Sequence, residues 1–195
     1  MDNKLNIVFY GPLSWVNPSD NFSIFYSEFS KHPGIYLWTV GTSYGDLIYY
    51  VGETGRDFRT RMREHYKEQL SGMYHIYDPE QFSLGKKREI WPGVYGKGGE
   101  KDLTKFLDIL PTIASALIKF VNIIKFYVAP INWEGRIRKR FEAALANYLY
   151  EQSGTVGDFQ DKGIHYEPRR ENEEPIMVNI NFPKAIKGMP KELII

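Results

Sequence analysis

The stretch from Gly34 to His65, GIYLWTVGTSYGDLIYYVGETGRDFRTRMREH, constrains the fold more than any other part of the chain. Its first run is apolar on both alternating faces, Tyr36, Trp38 and Val40 on one and Ile35 and Leu37 on the other, which suits a strand covered on both sides. Thr42 to Asp46 carries turn residues, and Leu47 to Val51 is a second run of strand-forming types, so the pair reads as a β-hairpin. Tyr36 and Tyr50 share a face only if paired residue numbers sum to an even value. A sum of 86 sets them opposite each other and leaves Gly41 to Gly45 as the loop, whereas an odd sum puts Tyr49 on that face. Asp57 then offers an N-cap. Phe58, Met62, Tyr66 and Leu70 recur at every fourth residue with Arg59, Arg63 and Lys67 on another side, the pattern of an amphipathic helix.

Composition bounds the partners more than the fold. At 195 residues with 43% hydrophobic content, the chain can hold one domain with elaborations. A formal net charge of +1 gives no global basic field, so any affinity for a polyanion must come from a local patch. The absence of cysteine excludes a disulfide framework, a thiolate zinc site and a Cys nucleophile. The opening MDNKLNIVFYGP has an acidic second residue and too short an apolar run for a signal peptide, so a cytoplasmic location is expected. Ile109 to Ile131 is apolar but interrupted by Pro111, Lys119, Asn122 and Lys125; it reads as buried core, with no membrane span expected.

Elsewhere, Leu5 to Tyr10 reads as a short strand ended by Gly11 and Pro12, and Phe22, Phe25, Tyr26 and Phe29 stand at helical spacing, packed on the domain rather than forming an aromatic binding face. Ser71 to Glu100 is a long connection in which Lys86, Lys87 and Arg88 are interleaved with aromatics. Such a segment serves either as a nucleic-acid surface or as a solvated loop whose rings pack back on the core. Asp102 to Leu110 and Pro111 to Val121 read as two helical pieces, and Ile123 to Val128 as a third core strand ended by Pro130. Arg136 to Gln152 is the best helix, striped by Ile137, Phe141, Leu145 and Leu149, with Gly154 placed to cap its end. Glu142 flanks the stripe. Taken alone it would be a surface carboxylate paired with Arg138 one turn earlier. Tyr166 to Pro175 reads as a linker or exposed loop. Ile176 to Phe182 alternates like a half-buried strand that closes a sheet edge or pairs with a second copy in a homodimer.

Gly34-Ile35-Tyr36, followed after thirteen residues by Tyr50-Val51-Gly52 and then by Arg61 and His65 four apart, resembles the signature of the GIY-YIG nucleases. The resemblance covers about Gly34 to Tyr66 and about Ile123 to Tyr150. It implies an α+β fold: a small GIY-YIG-like domain with a central three-stranded antiparallel sheet flanked by helices. On that reading residues 1–33 are an N-terminal extension, 34–70 and 123–154 the core, 71–122 an insertion and 155–195 a C-terminal extension of a single domain.

It further implies a hydrolase, a divalent-metal-dependent endonuclease of restriction, homing or repair type acting on DNA. Tyr36, Tyr50, Arg61, His65 and Glu142 would be its catalytic residues, with Glu142 holding Mg²⁺ or Mn²⁺. The residue types suit that chemistry. An Arg fork neutralises phosphate oxygens. Mg²⁺ takes one or two carboxylates and keeps several waters. A tyrosine orients or deprotonates the attacking water, with a nearby cation needed to lower its pKa from near 10. Arg56, Arg59, Arg63, Lys86, Lys87 and Arg88 are the expected phosphate contacts. The family's late Asn has no counterpart between Asn147 and Asn172, where Asp158 or Gln160 would have to substitute. That departure keeps open a second class, a non-catalytic nucleic-acid-binding or protein-interaction module on the same scaffold.

Overall fold

Alternation of large apolar residues on both faces of Gly34–Thr42 needs cover above and below, and the structure supplies it. The computed structural model describes residues 4–15, 22–95, 98–161 and 164–195. In chain order the elements are β1 (Lys4–Val8), β2 (Tyr10–Ser14), β3 (Gly34–Thr42), β4 (Gly45–Thr54), α1 (Phe58–Leu70), β5 (Ile76–Tyr77) and α2 (Pro79–Ser83). They continue with β6 (Glu89–Trp91), α3 (Leu103–Ile123), β7 (Ile124–Pro130), α4 (Gly135–Tyr150), α5 (Thr155–Phe159), β8 (Met177–Asn181) and β9 (Glu192–Ile194). The fold is mixed α+β.

The central sheet is antiparallel in the order β2-β7-β3-β4, which puts β3 in its interior. It has four strands where three are expected, because the N-terminal run continues past Gly11 and Pro12 into β2. Proline is tolerated there because β2 lies at the sheet edge, next to a register shift between Tyr10 and Leu13. A second sheet, β1-β8-β9, pairs β1 parallel with β8, so the half-buried terminal strand finds its partner within the chain.

One face of the central sheet carries Tyr36, Trp38, Leu47 and Tyr49 under α1, α3 and the aromatics Tyr77, Phe82 and Trp91. The other carries Ile35, Leu37, Ile48 and Val51 against Phe141, Leu145 and Leu149 of α4 and against β1 and β8. The segment between α1 and α3 is therefore not a bare loop. It contains α2 and the β5–β6 pair, and Tyr77, Phe82 and Trp91 are buried in the core.

Helix α3 runs unbroken through Pro111 instead of in two pieces. The lost bond is the one to the Leu107 carbonyl, and Leu107 and Pro111 both lie on the exposed side, where water can replace it. The helix buries Phe106, Ile113, Leu117, Phe120 and Val121 but exposes Leu107 and Ile118, so only one face of it is core. By length and composition alone α3 is apolar enough to cross a membrane. Around Phe22–Phe29 the regular element among the described residues is a 3-10 turn at Glu28–Lys31, with Phe25 and Phe29 packed on the core and Phe22 and Tyr26 exposed. Gly154, at φ +68°, stands at the start of α5 rather than directly capping α4, whose C-cap is Glu151.

Hairpin register departs from a single sum. Thr42 pairs with Gly45 and Val40 with Leu47, both summing to 87, around a two-residue Ser43-Tyr44 turn. Beyond a β-bulge between Trp38 and Thr39 the sum is 88, with Trp38 opposite Tyr50 and Tyr36 opposite Gly52. The extra residue is Tyr49. Because a bulge lets two successive side chains serve one face, Tyr49 and Tyr50 both lie on the side of Tyr36.

Candidate active site

Two glycines permit the motif strands to approach as they do. Gly34 has φ +153°, and a Cβ there would stand 2.0 Å from the Ala129 carbonyl oxygen of β7. A Cβ on Gly52 would stand 2.3 Å from the Tyr36 ring, so that ring occupies the space the glycine leaves open.

Tyr36, fully buried, lies with its ring 6.0 Å from that of Tyr50. The Tyr36 hydroxyl is 2.8 Å from His65 Nε2, and Arg61 Nε approaches it at 3.4 Å. Helix α1 delivers both partners: its Asp57 cap accepts from the Thr60 N–H, and the apolar stripe turns Phe58 and Met62 inward together with His65 and Gln69. His65 is thus buried, at 3% exposure. Its second ring nitrogen, Nδ1, is 2.8 Å from the Tyr74 hydroxyl, which in turn donates to Glu68.

Burial sets the charge states. It raises Tyr36 to about 12 despite the Arg61 guanidinium beside it, and lifts Tyr50 well above the usual phenol range. Burial, reinforced by Arg61, pushes His65 down to about 3, so its ring is neutral. The Arg61 guanidinium opposes the upward shift of Tyr36 without overcoming it, so lowering that hydroxyl falls to a further cation such as a bound metal.

Glu142 reaches the group from α4 around the open edge of β4. Its Oε1 accepts from the Glu53 N–H at 3.0 Å, a ladder donor left outward because β4 is an edge strand. The pairing with Arg138 expected from helical spacing does not form. Arg138 instead donates to Glu53 Oε2 at 3.0 Å and to the Trp133 carbonyl. Among the described residues Glu142 has no cationic hydrogen-bond partner, and burial with the neighbouring Glu53 carboxylate raises it to about 7. A half-buried carboxylate under that strain suits a hard cation, which would relieve both causes. Among the described residues no group of three or more His, Cys, Asp or Glu could hold a metal, so a cation would need water and substrate oxygens besides Glu142.

The expected phosphate contacts divide. Arg63 is exposed and lines an open cleft of about 220 Å³ with Phe25, Tyr26, Arg59 and Tyr66. Lys86 and Arg88 are exposed, Arg88 lying 3.8 Å from Asp78. Three others are engaged internally. Arg56 pairs with both oxygens of Glu64 at 2.7 Å, and Arg59 donates to the Phe25 carbonyl at 2.8 Å. Lys87 donates to the Gln160 carbonyl and sits 5.5 Å over the Tyr49 ring, so it ties the core together and is a poor phosphate contact.

Neither substitute expected for the late Asn stands ready for that role. Gln160 is buried and its amide donates to the Ile48 carbonyl at 2.5 Å, while Asp158 is exposed. Sequence reasoning missed Tyr74, Glu68, Glu53 and Tyr166. Glu68 stood three residues after His65, the one helical-spacing signal available. Tyr166, on the supposed linker, has its hydroxyl pushed far above the usual phenol range by burial and by the fields of Tyr150 and Glu142. That linker is tied down through Arg136, which donates to Glu173, Glu167 and Pro168.

No family model matches the sequence, and no curated protein or solved structure matches it either.

Proposed function

We propose that the chain is a divalent-metal-dependent endonuclease hydrolysing DNA phosphodiester bonds, on an α+β scaffold like that of the GIY-YIG nucleases. The observation that carries the reading is the convergence of Tyr36, Tyr50, Arg61 and His65 with the strained Glu142 carboxylate at the open edge of β4. Arg61, its side chain 29% exposed, retains guanidinium N–H groups to offer the phosphate and stays charged throughout. Tyr50 and Tyr36 orient the attacking water. Glu142, with Glu53 beside it, would hold Mg²⁺ or Mn²⁺, which when bound supplies charge stabilisation for the departing oxygen. DNA would lie across the outer side of α1, where Arg63 and the aromatic cleft offer a cation and stacking rings, and Lys86 and Arg88 are further exposed cations.

The second reading, a non-catalytic nucleic-acid-binding or protein-interaction module, is favoured by one observation. Gln160, the best substitute for the late Asn, spends its amide on the Ile48 carbonyl. A plasmid-nicking assay with and without Mg²⁺, on the wild type and Glu142→Ala, separates the two: metal-dependent nicking lost in the variant supports the enzyme, and DNA retention without nicking by the wild type supports the module.

A further inference from the structure

Hydrogen-bond directions around His65 follow from counting protons. A carboxylate accepts, and the Tyr74 hydroxyl donates to Glu68. With its single proton committed, Tyr74 meets His65 Nδ1 at 2.8 Å only as an acceptor, so the ring proton is on Nδ1. His65 is neutral because burial and Arg61 disfavour its cation, which leaves Nε2 bare. Tyr36, 2.8 Å from Nε2, must therefore donate to it, and can only accept from Arg61 Nε. Each of these hydrogen bonds points the same way, from Tyr36 through His65 and Tyr74 to Glu68, whose side chain is 30% exposed, and the Tyr50 ring lies 6.0 Å from that of Tyr36 at the start of the chain.

We propose that Tyr74 and Glu68 are positioning residues that hold His65 as its Nδ1–H tautomer and complete a one-way relay carrying the proton of the attacking water from Tyr50 and Tyr36 out to Glu68. The relay rests on the nuclease reading; the tautomer does not. As the water oxygen bonds to phosphorus and the bond to the leaving oxygen breaks, the water's proton passes to Tyr50. Tyr50 gives its own proton to Tyr36, and Tyr36 gives its own to Nε2. The Nδ1 proton moves to Tyr74, whose proton ends on Glu68. Glu68 becomes a carboxylic acid that returns its proton to solvent, the leaving oxygen takes a proton from solvent, and His65 finishes as the Nε2–H tautomer. No intermediate group is left charged, which matters because an imidazolium or a phenolate in this buried setting is costly.

Two variants divide the proposal. Glu68→Gln keeps an oxygen that accepts from Tyr74 but cannot take the proton, and Tyr74→Phe removes the acceptor for Nδ1–H while keeping the ring against Trp38 and Tyr95. Two-bond ¹H–¹⁵N correlation spectra of the imidazole nitrogens read the tautomer without any cleavage. The expectation is Nδ1–H in the wild type and in Glu68→Gln, and a shift towards Nε2–H in Tyr74→Phe, where Tyr36 becomes the available acceptor. An Nε2–H tautomer in the wild type, or an unchanged spectrum in Tyr74→Phe, overturns the assignment. In the nicking assay with Mg²⁺, both variants should lower kcat about 10- to 100-fold with KM nearly unchanged and reduce the solvent deuterium isotope effect. Wild-type kcat in Glu68→Gln overturns the relay while leaving the tautomer standing. A wild type that cuts no DNA overturns the nuclease reading and the relay together, with the spectra still deciding the tautomer.

Discussion

Tyr49 and Tyr50 are adjacent, of one type, and on one face of the same strand, yet they occupy opposite kinds of environment. Tyr49 is sealed. Its ring meets Tyr77, Phe82 and Phe159 at right or steep angles, Lys87 sits over it, and the Asp161 N–H takes its backbone carbonyl at 2.7 Å. Tyr50 is only partly buried, and its ring stands against those of Tyr36, Trp38 and His65 in the field of Glu142. What separates them is which part of the chain covers the edge of β4. Residues 160 and 161 close it at Ile48 and Tyr49, whereas farther along the Glu142 carboxylate reaches it, at Glu53. A tyrosine becomes core or site according to its cover, and the residue type does not decide.

The largest effect expected on the Tyr50 side is that of Glu142→Gln, which should reduce Mg²⁺-dependent nicking more than about 100-fold while leaving DNA binding intact or slightly tighter, because a negative charge is removed near the phosphate. Arg61→Ala should instead damage both binding and cleavage, and equal nicking rates in Glu142→Gln and wild type would remove Glu142 from the site. Next in size, Tyr36→Phe and Tyr50→Phe should each lower kcat about 10- to 100-fold, while Tyr49→Phe changes it less than about twofold. If Tyr49→Phe proved as damaging as Tyr50→Phe, the contrast between the two residues would collapse.

Gly52→Ala tests the strand opposite Tyr36 through stability. The new methyl would stand 2.3 Å from the Tyr36 ring, so either the ring moves or the strands part, at a cost of about 1–3 kcal/mol in chemical denaturation. An alanine variant as stable as the wild type would mean the ring is not held where Gly52 admits it.

A pH series compares the strained carboxylate with its absence. Glu142 binds its proton more tightly in the folded state, at about 7, than a free glutamate near 4.5, so the unfolded chain holds fewer protons between those values. Stability should therefore fall as pH rises from about 4.5 to 7, by roughly 2–3 kcal/mol from this group, and that part of the slope should vanish in Glu142→Gln. Parallel stability curves for the two proteins would refute the strained state. The smallest effects belong to exposed cations. Charge reversal at Arg63, Lys86 or Arg88 should weaken DNA binding severalfold and flatten its salt dependence without altering stability, whereas Lys87→Ala should lower stability and leave the salt slope alone. Binding that is flat between low and physiological salt would count against all three.

Local pattern decided a good deal of this molecule. The alternation of Ile35 to Val40 required a covered strand, Asp57 and the four-residue spacing from Phe58 required a helix, and the stripe from Phe141 to Leu149 required another. The spacing of GIY, YVG, Arg61 and His65 was enough to nominate the residues that α1 and β3 bring together. Tertiary structure alone decided the rest. A bulge is one residue of slack, and no local preference at Tyr49 announces it; it is set by the different packing demands at the two ends of the hairpin. His65 is buried because Tyr36 and Tyr74, twenty-nine residues before it and nine after it, satisfy both its nitrogens. Glu142 lost its local partner because Arg138 found Glu53, eighty-five residues away. Sequence spacing specifies which side chains can meet within one element, but charge states and hydrogen-bond partners depend on what is desolvated together. That is a property of the assembled core.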